Sequence, residues 1–260
     1  MRRLLITIPS HRRPHAVEQL PFDPDIWIVN DKRDKRDYRA AGASNVEIGG
    51  PGVSPNRNKA IEIALVEQSV SVQIDDDLRG IYRSWHDLSQ HEHTTNTPIR
   101  DVAAEVWHFM KLVNTPIGGI LASPNPYHSK QRVHTWAFIE GTFFVIDPRL
   151  PERFTWLTKE DWEMTCKVLS RVGYVVRLDY YVRDSDQLNQ AGGLKEIRTF
   201  ENESQHAQRL LREYPNLVRP HSTRPQVDVQ IRATTRTIPP AARTAYQIAN
   251  QHDSYSYSYP

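Results

Sequence analysis

Residues 70–77 read VSVQIDDD, a run with β-branched residues at alternate positions followed at once by Asp75, Asp76 and Asp77. The first five residues have the pattern of a short buried strand. Three carboxylates in a row do not share a dry core, because each unpaired charge there would be costly or would stay protonated. The stretch therefore predicts a buried strand that ends at a solvated edge of a sheet.

Two earlier runs repeat this pattern of strand followed by polar residues. Residues 4–8 and 26–29 are short apolar runs, and a segment with helical spacing of apolar residues lies between them. A Gly/Pro loop then leads into an amphipathic helix predicted for residues 54–68, with Ser54 as its N-cap. Strands that alternate with helices favour an α/β fold, here a doubly wound, mostly parallel and Rossmann-like sheet flanked by helices. Ligands on such sheets bind outside the carboxyl ends of the strands.

The second half of the chain continues with mixed elements. We expect strands at residues 117–122, 135–139, 142–146 and 174–182, and helices at residues 100–113, 158–172 and 204–214. Thr158 and Asp161 are spaced as a capping box, which predicts that Thr158 caps its helix.

Composition limits the class of protein. The chain has 260 residues, 38% of them hydrophobic, and a formal net charge of +2, so bulk charge alone indicates no polyanion partner. The single cysteine, Cys166, excludes an intrachain disulfide and a Cys-rich zinc site. The apolar run near the N-terminus is too short for a signal peptide or a membrane span, so we expect a soluble, cytoplasmic protein without a membrane partner.

The last part of the chain differs in composition from the rest. We expect a folded domain over residues 1–218 that ends in a helical and irregular extension, and a basic tail over residues 219–260 that contains Pro, Ser and Tyr. The tail is typical of a disordered solvated segment, and the alternative is a basic arm with tyrosines that contacts nucleic acid.

The three aspartates have two interpretations. Asp75 and Asp77 suit a divalent ion such as Mn²⁺ or Mg²⁺ that keeps some of its waters and also holds substrate phosphates, with Asp76 bonding a ribose or an arginine. The alternative is a solvated acidic turn in which Asp77 caps a helix that starts near Leu78.

The order of four segments resembles a known enzyme family. TIPSHRRP, IVND, GVSPNRNKAIEIA and VQIDDD follow one another as in nucleotide-sugar glycosyltransferases of the GT-A fold, over roughly residues 1–180. The resemblance implies a UDP-sugar donor and a metal-binding Asp-x-Asp motif formed by Asp75 and Asp77. It also implies that EDW, at residues 160–162, lies beside the acceptor with Asp161 as general base. The implied donor-binding residues are Pro9, Ser10, His11, Arg12, Asp31, Arg57, Lys59, Asp75 and Asp76.

A narrower resemblance rests on PSHRRP, SPNRN, AGGLKEIR at residues 191–198, and YPNLV. These segments are similar to phage-encoded glycosyltransferases associated with TET/JBP-type base hydroxylases. That likeness implies sugar transfer to hydroxymethylated pyrimidines such as 5-hydroxymethylcytosine in double-stranded DNA, in the host cytoplasm. Trp162, Lys195 and Arg198 are the implied contacts to the acceptor.

Other functions stay open at this point. The acceptor of a glycosyltransferase could be a saccharide or a small molecule, and Glu140 is a second candidate for the base. A nucleotidyltransferase would favour a Gly-rich phosphate loop near the N-terminus, which TIPSHRRP lacks. A nucleic-acid-binding module without turnover would share the fold. Asp179 is either a further ligand or a buried partner of Arg177 or Arg183.

Overall fold

The computed structural model describes residues 2–87, 90–185 and 198–233, and for residues 85–87 and 90–95 the backbone alone. In the first half of the chain the elements are β1 (Leu4–Pro9), α1 (Ala16–Gln19), β2 (Ile26–Val29), α2 (Lys32–Ala40), β3 (Val46–Ile48), α3 (Val53–Val66), β4 (Val70–Ile74), β5 (Leu78–Asp87), β6 (Gln90–Asn96) and α4 (Ile99–Val113). In the second half they are β7 (Ile117–Ile120), β8 (Val133–His134), β9 (Phe143–Ile146), α5 (Glu160–Arg171), β10 (Val176–Leu178), β11 (Tyr181–Ser185), α6 (Phe200–Glu213), β12 (Val218–Pro220) and β13 (Val229–Ile231).

The central sheet has eight strands in the order β3-β2-β1-β4-β9-β7-β10-β8. Strands β3, β2, β1 and β4 pair in parallel, as do β7 and β10, whereas β9 and β8 run in the opposite direction. The prediction of a mostly parallel, Rossmann-like α/β sheet flanked by helices is therefore confirmed.

Side chains of the inner strands alternate between two packed faces. On one face Leu5 packs with Ala60 of α3. On the other face Ile6 and Val72 belong to the same apolar cluster as Val106 of α4. This period of two, with apolar residues on both sides, explains why the strands read as nearly continuous hydrophobic runs.

The reversed strand β9 has a direct effect on the functional edge of the sheet. It pairs with β4 through Ile74 and Phe143, and the Asp75 N–H donates to the carbonyl of Thr142 at 3.2 Å. Because β9 is antiparallel to β4, the residues that precede β9 lie at the carboxyl end of β4. Residues 140–142 are thereby brought to the three aspartates.

Two smaller sheets complete the structure. Strands β11, β5 and β6 form an antiparallel three-stranded sheet, and β12 and β13 form a hairpin. The C-terminal part is joined to α5 through Lys159, whose Nζ lies 2.8 Å from Glu203 Oε2 and 3.0 Å from Asp228 Oδ1. Trp136 Nε1 donates to the carbonyl of Arg232 at 2.8 Å. The boundary predicted at residue 218 falls at the first residue of β12, and residues 234–260 of the predicted tail lie outside the described residues.

Several local predictions were wrong. Residues 135–139 form no strand, and residues 78–87 form strand β5 where a helix capped by Asp77 was the alternative. The predicted strand at residues 174–182 is divided into β10 and β11, which lie in different sheets. These segments carry apolar residues that tertiary contacts bury, so their local pattern did not decide their conformation.

Both predicted N-caps were wrong as well. Helix α3 begins at Val53 after Gly52, and the Ser54 hydroxyl donates to the carbonyl of Trp156 at 2.5 Å. Helix α5 begins at Glu160 after Lys159, which has a positive φ of 54°. The Thr158 hydroxyl contacts His206 Nδ1 at 2.7 Å instead of capping the helix. No helix in the described part of the chain is long and apolar enough to cross a membrane.

Asp179 is a buried carboxylate between β10 and β11 that holds two arginines. Its Oδ1 accepts from Arg177 Nε and its Oδ2 from Arg132 Nε, both at 2.6 Å. Burial pushes the pKa of Asp179 up, but the hydrogen bonds and charges of His134, Arg177 and Arg132 outweigh it and hold this pKa well below its usual range. Of the two partners considered from sequence, Arg177 is confirmed, whereas Arg183 pairs with Glu140.

We expect Asp179→Asn to lower the free energy of unfolding by about 3 kcal/mol at neutral pH, because buried ion pairs that lose one partner leave the other uncompensated. The stabilisation from a carboxyl with a depressed pKa is present above the unfolded pKa, near 3.9, and is lost as the pH falls through the folded value. In urea unfolding, the gap between wild type and variant should therefore narrow below about pH 4. Asp184→Asn, an exposed change in β11, is the control. Equal stability of Asp179→Asn and wild type at pH 7 would contradict this role.

Candidate functional site

The site lies at the carboxyl ends of β1 and β4, in the middle of the central sheet. From β1 the chain continues to β2 on one side, whereas β4 lies on the other side of β1 and is followed in the sheet by β9. Open α/β sheets bind ligands at the point where the strand order changes direction in this way. The residues after Pro9 and after Ile74 flank that point, so these two predicted polar segments are brought together.

Ser10 and Asp76 join the two strand ends directly. The Ser10 hydroxyl donates to Asp76 Oδ2 and lies 2.5 Å from the hydroxyl of Tyr38. Arg13 Nη1 donates to the other oxygen of Asp76 at 2.7 Å. Burial raises the pKa of Asp76, and Arg13 and Ser10 oppose that increase. Both carboxylate oxygens of Asp76 thus bind Ser10 and Arg13, and Asp75 and Asp77 are the aspartates better placed to bind a ligand.

Asp75 and Asp77 differ in exposure and in partners. The Asp75 side chain is 33% exposed, and its Oδ1 accepts from Arg57 Nη2 at 2.9 Å. Asp77 is 9% exposed, and its Oδ1 is buried without a hydrogen-bond partner among the residues that the structure describes. Burial, with the charges of Asp75 and Asp76, raises the pKa of Asp77 to about 7. A buried carboxylate oxygen without a donor is costly unless a proton or a cation satisfies it.

Arg57 connects the aspartates to the start of α5. It is 1% exposed, and its Nε donates to Glu160 Oε1 at 3.2 Å while Nη2 donates to Asp75. The start of α3 buries the Arg57 guanidinium between the rings of Phe144 and Phe154. Arg57 holds the carboxylates of Asp75 and Glu160, and its Nη1 is buried without a hydrogen-bond partner among the described residues.

Asp161 faces the aspartates from the first turn of α5. Its Oδ2 accepts from the Gly141 N–H at 3.2 Å, and its Oδ1 accepts from the Trp162 N–H at 2.8 Å. Burial raises the pKa of Asp161 despite these two hydrogen bonds. The adjacent Glu160 has a pKa raised to about 7, by burial first and then by the charge of Asp161. A carboxyl with a raised pKa is a competent proton acceptor closer to neutral pH.

Glu140 completes the acidic group from the loop before β9. Arg183 binds it with two hydrogen bonds, Nε to Oε2 at 2.6 Å and Nη2 to Oε1 at 2.9 Å. Burial raises its pKa, and the charges of Asp161 and Asp75 act in the same direction. As the second candidate for a base, Glu140 is already held in both oxygens by one guanidinium, whereas Asp161 has only backbone donors in the described structure.

Charge at this edge is unbalanced among the described side chains. Three arginines whose side chains are at most 13% exposed (Arg13, Arg57, Arg183) face six carboxylates (Asp75, Asp76, Asp77, Glu140, Glu160, Asp161). Such an excess of negative charge favours protonation or a bound cation. Within the described ranges, no three His, Cys, Asp or Glu side chains are arranged to hold a metal ion by themselves.

The remaining predicted donor residues occupy different positions. Pro9 is the last residue of β1, and His11 Nδ1 lies 2.8 Å from Asp34 Oδ2. Arg12 is exposed and has a positive φ of 54°, a conformation that costs energy for a residue with a side chain. Asp31 caps α2 by accepting from the N–H groups of residues 33 and 34, which lowers its pKa. Lys59 lies two residues after Arg57 on α3, and its Nζ pairs with Glu62 at 3.7 Å. No described contact joins Lys59 to the aspartates.

The predicted acceptor residues are partly accounted for. Trp162 is half-buried and stacks on Phe138, with ring centroids 4.0 Å apart and an interplanar angle of 9°. Arg198 is exposed, and its charge lowers the pKa of Asp161, so it lies on the Asp161 side of the site. Lys195 lies outside the described residues.

Sequence reasoning missed three features of the site: the role of Gly141, the Arg57–Glu160 link and the Arg183–Glu140 link. A Cβ on Gly141 would lie 2.5 Å from Arg57 Nη2 and 3.6 Å from Asp161 Cβ. A glycine directly before a strand, here in the sequence EGT, can indicate a position where another group packs closely against the backbone. The two ion pairs join residues 103 and 43 positions apart, and no local pattern reports such a separation.

Comparison with known proteins adds little to this geometry. No protein-family model matches the chain, and no curated protein matches it. Among solved structures it is similar to a CMP:2-keto-3-deoxy-manno-octonic acid synthetase complexed with CTP, with 9% identity over 67% of this chain and 88% of that chain and a TM-score of 0.36. A likeness at that level carries no information about the activity of this chain.

Proposed function

We propose that this chain is a metal-dependent glycosyltransferase that uses a UDP-sugar as donor. The observation that carries the proposal is the buried Oδ1 of Asp77, which has no hydrogen-bond partner in the described part of the chain. It lies beside the partly exposed Asp75, at the point where the strand order of the sheet changes direction. The order of polar segments in the sequence, with its resemblance to GT-A glycosyltransferases, supports the choice of reaction.

Asp75 and Asp77 would hold Mn²⁺ or Mg²⁺. The fit rests on the chemistry of the two side chains: hard oxygen donors, one of them short of a partner, with too few protein ligands nearby to enclose an ion. Mg²⁺ is usually bound in this way, by one or two carboxylates with water and substrate phosphates completing the shell. When bound, the ion would offset the charge that develops on the leaving diphosphate.

The donor would occupy the space outside β1 and β4. His11, Arg12 and Asp31 are the polar residues at the ends of β1 and β2 that remain accessible to a nucleotide. Ser10 and Asp76 hold the loop after β1 in place, and Arg57 fixes the carboxylate of Asp75. In this arrangement the buried residues position the exposed ones, which is how a rigid binding site is maintained.

Asp161 would take the proton from the acceptor hydroxyl. It lies on the side of the site opposite β1, next to Trp162 and Arg198, which are available to a base and to a phosphate respectively. We propose 5-hydroxymethylcytosine in double-stranded DNA as the acceptor, on the resemblance to the phage enzymes. Sugar transfer to DNA would require the nucleotide to be reached in the major groove or flipped out, and an aromatic pair such as Trp162 and Phe138 suits stacking.

The test is mass spectrometry of nucleosides from 5-hydroxymethylcytosine-containing DNA after incubation with the protein, Mn²⁺ or Mg²⁺ and a panel of UDP-sugars including UDP-glucose. A hexose-sized mass gain that EDTA abolishes supports the whole proposal. Hydrolysis of the UDP-sugar without DNA modification would support a glycosyltransferase activity, but with a saccharide or a small molecule as the acceptor. DNA binding without turnover of any donor would identify a non-catalytic DNA-binding module and would contradict the proposal that this chain is an enzyme.

Gly141→Ala is expected to lower the transfer rate by about tenfold to a hundredfold, because displacements of about 1 Å in a positioned group have effects of that size. The added Cβ displaces Arg57, which in turn displaces Asp75 and Glu160. Initial rates at saturating UDP-sugar give the effect. Ser170→Ala, an exposed change on α5, should leave the rate unchanged. A Gly141→Ala variant with the wild-type rate would show that the Arg57 link has no part in turnover.

A further inference from the structure

Three basic or amphoteric side chains converge at the edge of the central sheet, around the buried carboxylate of Asp179. The guanidinium groups of Arg132 and Arg177 each bind one oxygen of Asp179 through Nε. Their Nη2 atoms both lie 3.3 Å from Nδ1 of His134, which itself lies 3.4 Å from Asp179 Oδ2. One carboxylate therefore fixes two guanidinium groups side by side.

This group carries a surplus of positive charge at the protein surface. Two guanidinium groups face a single carboxylate, and Asp179 is 1% exposed, so it does not itself meet solvent. The side chains of Arg132 and His134 are 35% and 33% exposed. Lys130 adds a further exposed cation next to them. The backbone N–H of Lys130 donates to the backbone carbonyl of Asp179 at 3.0 Å, which places the residue there. Guanidinium groups held in a fixed orientation are the protein groups best suited to phosphate oxygens.

The group adjoins the candidate site through two contacts. Arg177 Nη1 donates to the carbonyl of Phe138 at 3.2 Å, and the ring of Phe138 stacks on Trp162, the neighbour of Asp161. The cationic group thus continues the surface that starts at Asp161 and passes over the Phe138–Trp162 pair. It lies on the side of the sheet that ends in β8, away from the aspartates after β4.

We propose that Arg132, His134 and Arg177 form a phosphate-binding subsite distinct from the donor site. Its ligand is a phosphate group, either a terminal phosphate monoester or a phosphodiester of a nucleic-acid backbone. Binding at this subsite does not depend on the proposed reaction. The further statement that the phosphate belongs to the acceptor rests on the proposed function, because it takes Asp161 as the place where the acceptor reacts.

The experiment is an NMR titration of the histidine ring resonances of the full chain, in EDTA and without donor, with inorganic phosphate and with an unmodified 12-base-pair DNA duplex. The resonance of His134 is the one that is lost in His134→Gln, which breaks no ion pair of Asp179 beyond its own contact. Arg132→Gln is the test variant, and Arg36→Gln, an exposed arginine on α2, is the matched control.

The His134 resonance is expected to shift in a saturable manner with at least one of the two probes. Arg132→Gln should weaken that binding by about tenfold or more, as for one charge-assisted hydrogen bond, with Arg36→Gln unchanged. Saturation by phosphate alone identifies a monoester site. Saturation by the duplex identifies a contact to the phosphate backbone of DNA. In that case the slope of the logarithm of the binding constant against the logarithm of the salt concentration should be smaller by about one in Arg132→Gln. A His134 resonance that responds to neither probe overturns the subsite, and it does so without bearing on UDP-sugar turnover.

Discussion

Asp77→Asn is expected to abolish metal-dependent sugar transfer, with a loss of at least about a thousandfold, while the protein stays as stable as wild type or becomes more stable in EDTA. The two effects have one cause. The buried Oδ1 of Asp77 lacks a donor within the described ranges of the chain, which suits it to a cation. Without the cation it is a destabilising group, and leaving a buried polar atom unsatisfied costs about 1–3 kcal/mol.

The pKa of Asp77 determines how the stability difference between Asp77→Asn and wild type should change with pH. The folded pKa of Asp77 lies near 7, above the value of an unfolded aspartate. A carboxyl of this kind makes the folded state less stable as the pH rises from about 4 to about 7. Asparagine has no such titration, so the advantage of Asp77→Asn in EDTA should be absent near pH 4 and greatest above pH 7.

Thermal unfolding with and without Mn²⁺ separates this account from a simple loss of structure. Binding at a hundred times the dissociation constant stabilises a protein by about 2.7 kcal/mol, so the melting temperature of wild type should rise with Mn²⁺ and that of the variant should not. Asp37→Asn, on the surface of α2, should behave as wild type in both assays. A variant that melts well below wild type in EDTA, or that retains EDTA-sensitive transfer, would refute the assignment.

Asp161→Asn is expected to reduce the transfer rate by about 10²–10⁴-fold with little change in the KM for the UDP-sugar, because general-base catalysis contributes that much. The proposed donor site is at the ends of β1 and β4, so its affinity for the UDP-sugar should have no direct dependence on Asp161. Asparagine keeps one oxygen to accept from Gly141 or Trp162, and the fold should persist. Initial rates over a range of UDP-sugar concentrations measure both constants.

Glu140→Gln is the comparison for this prediction, since Glu140 is the other candidate base. Its two hydrogen bonds from Arg183 make it a structural partner, so its loss should lower stability more than it lowers the rate. If Glu140→Gln lost more activity than Asp161→Asn at equal stability, the roles of the two residues would have to be exchanged.

The strands that form the middle of the sheet could be predicted because their sequence carries the whole signal. Residues 4–8 and 26–29 are nearly continuous apolar runs, and residues 70–74 alternate Val70, Val72 and Ile74 with the polar Ser71 and Gln73. All three runs end at polar residues, which indicated the correct edge of the sheet. Residues 135–139 and 158–159 could not be assigned in this way. Their conformation depends on contacts with α5, α6 and the C-terminal hairpin, which are distant in sequence.

Gly141 escaped prediction as part of the site because it belongs to the segment before the antiparallel strand β9, the segment that also carries Glu140. A search for polar groups after strand ends finds Ser10 and the aspartates, but β9 runs the other way and contributes the residues before its start. Glu140 and Gly141 reach the site for that reason. The resemblance implies Arg57 as a donor-binding residue. The structure adds that its guanidinium is buried between the carboxylates of Asp75 and Glu160, a contact that no local pattern reports.

The insertion of β9 between β4 and β7 has a consequence for biosynthesis. While the first 120 residues emerge from the ribosome, β4 and β7 each lack the neighbour that will cover their inner edge, and that neighbour is not made until residue 146. Exposed edges of apolar strands are open to pairing with other chains. Between these two points the nascent protein therefore presents two unpaired strand edges that can pair with other chains, and binding of a chaperone to this intermediate would prevent such pairing.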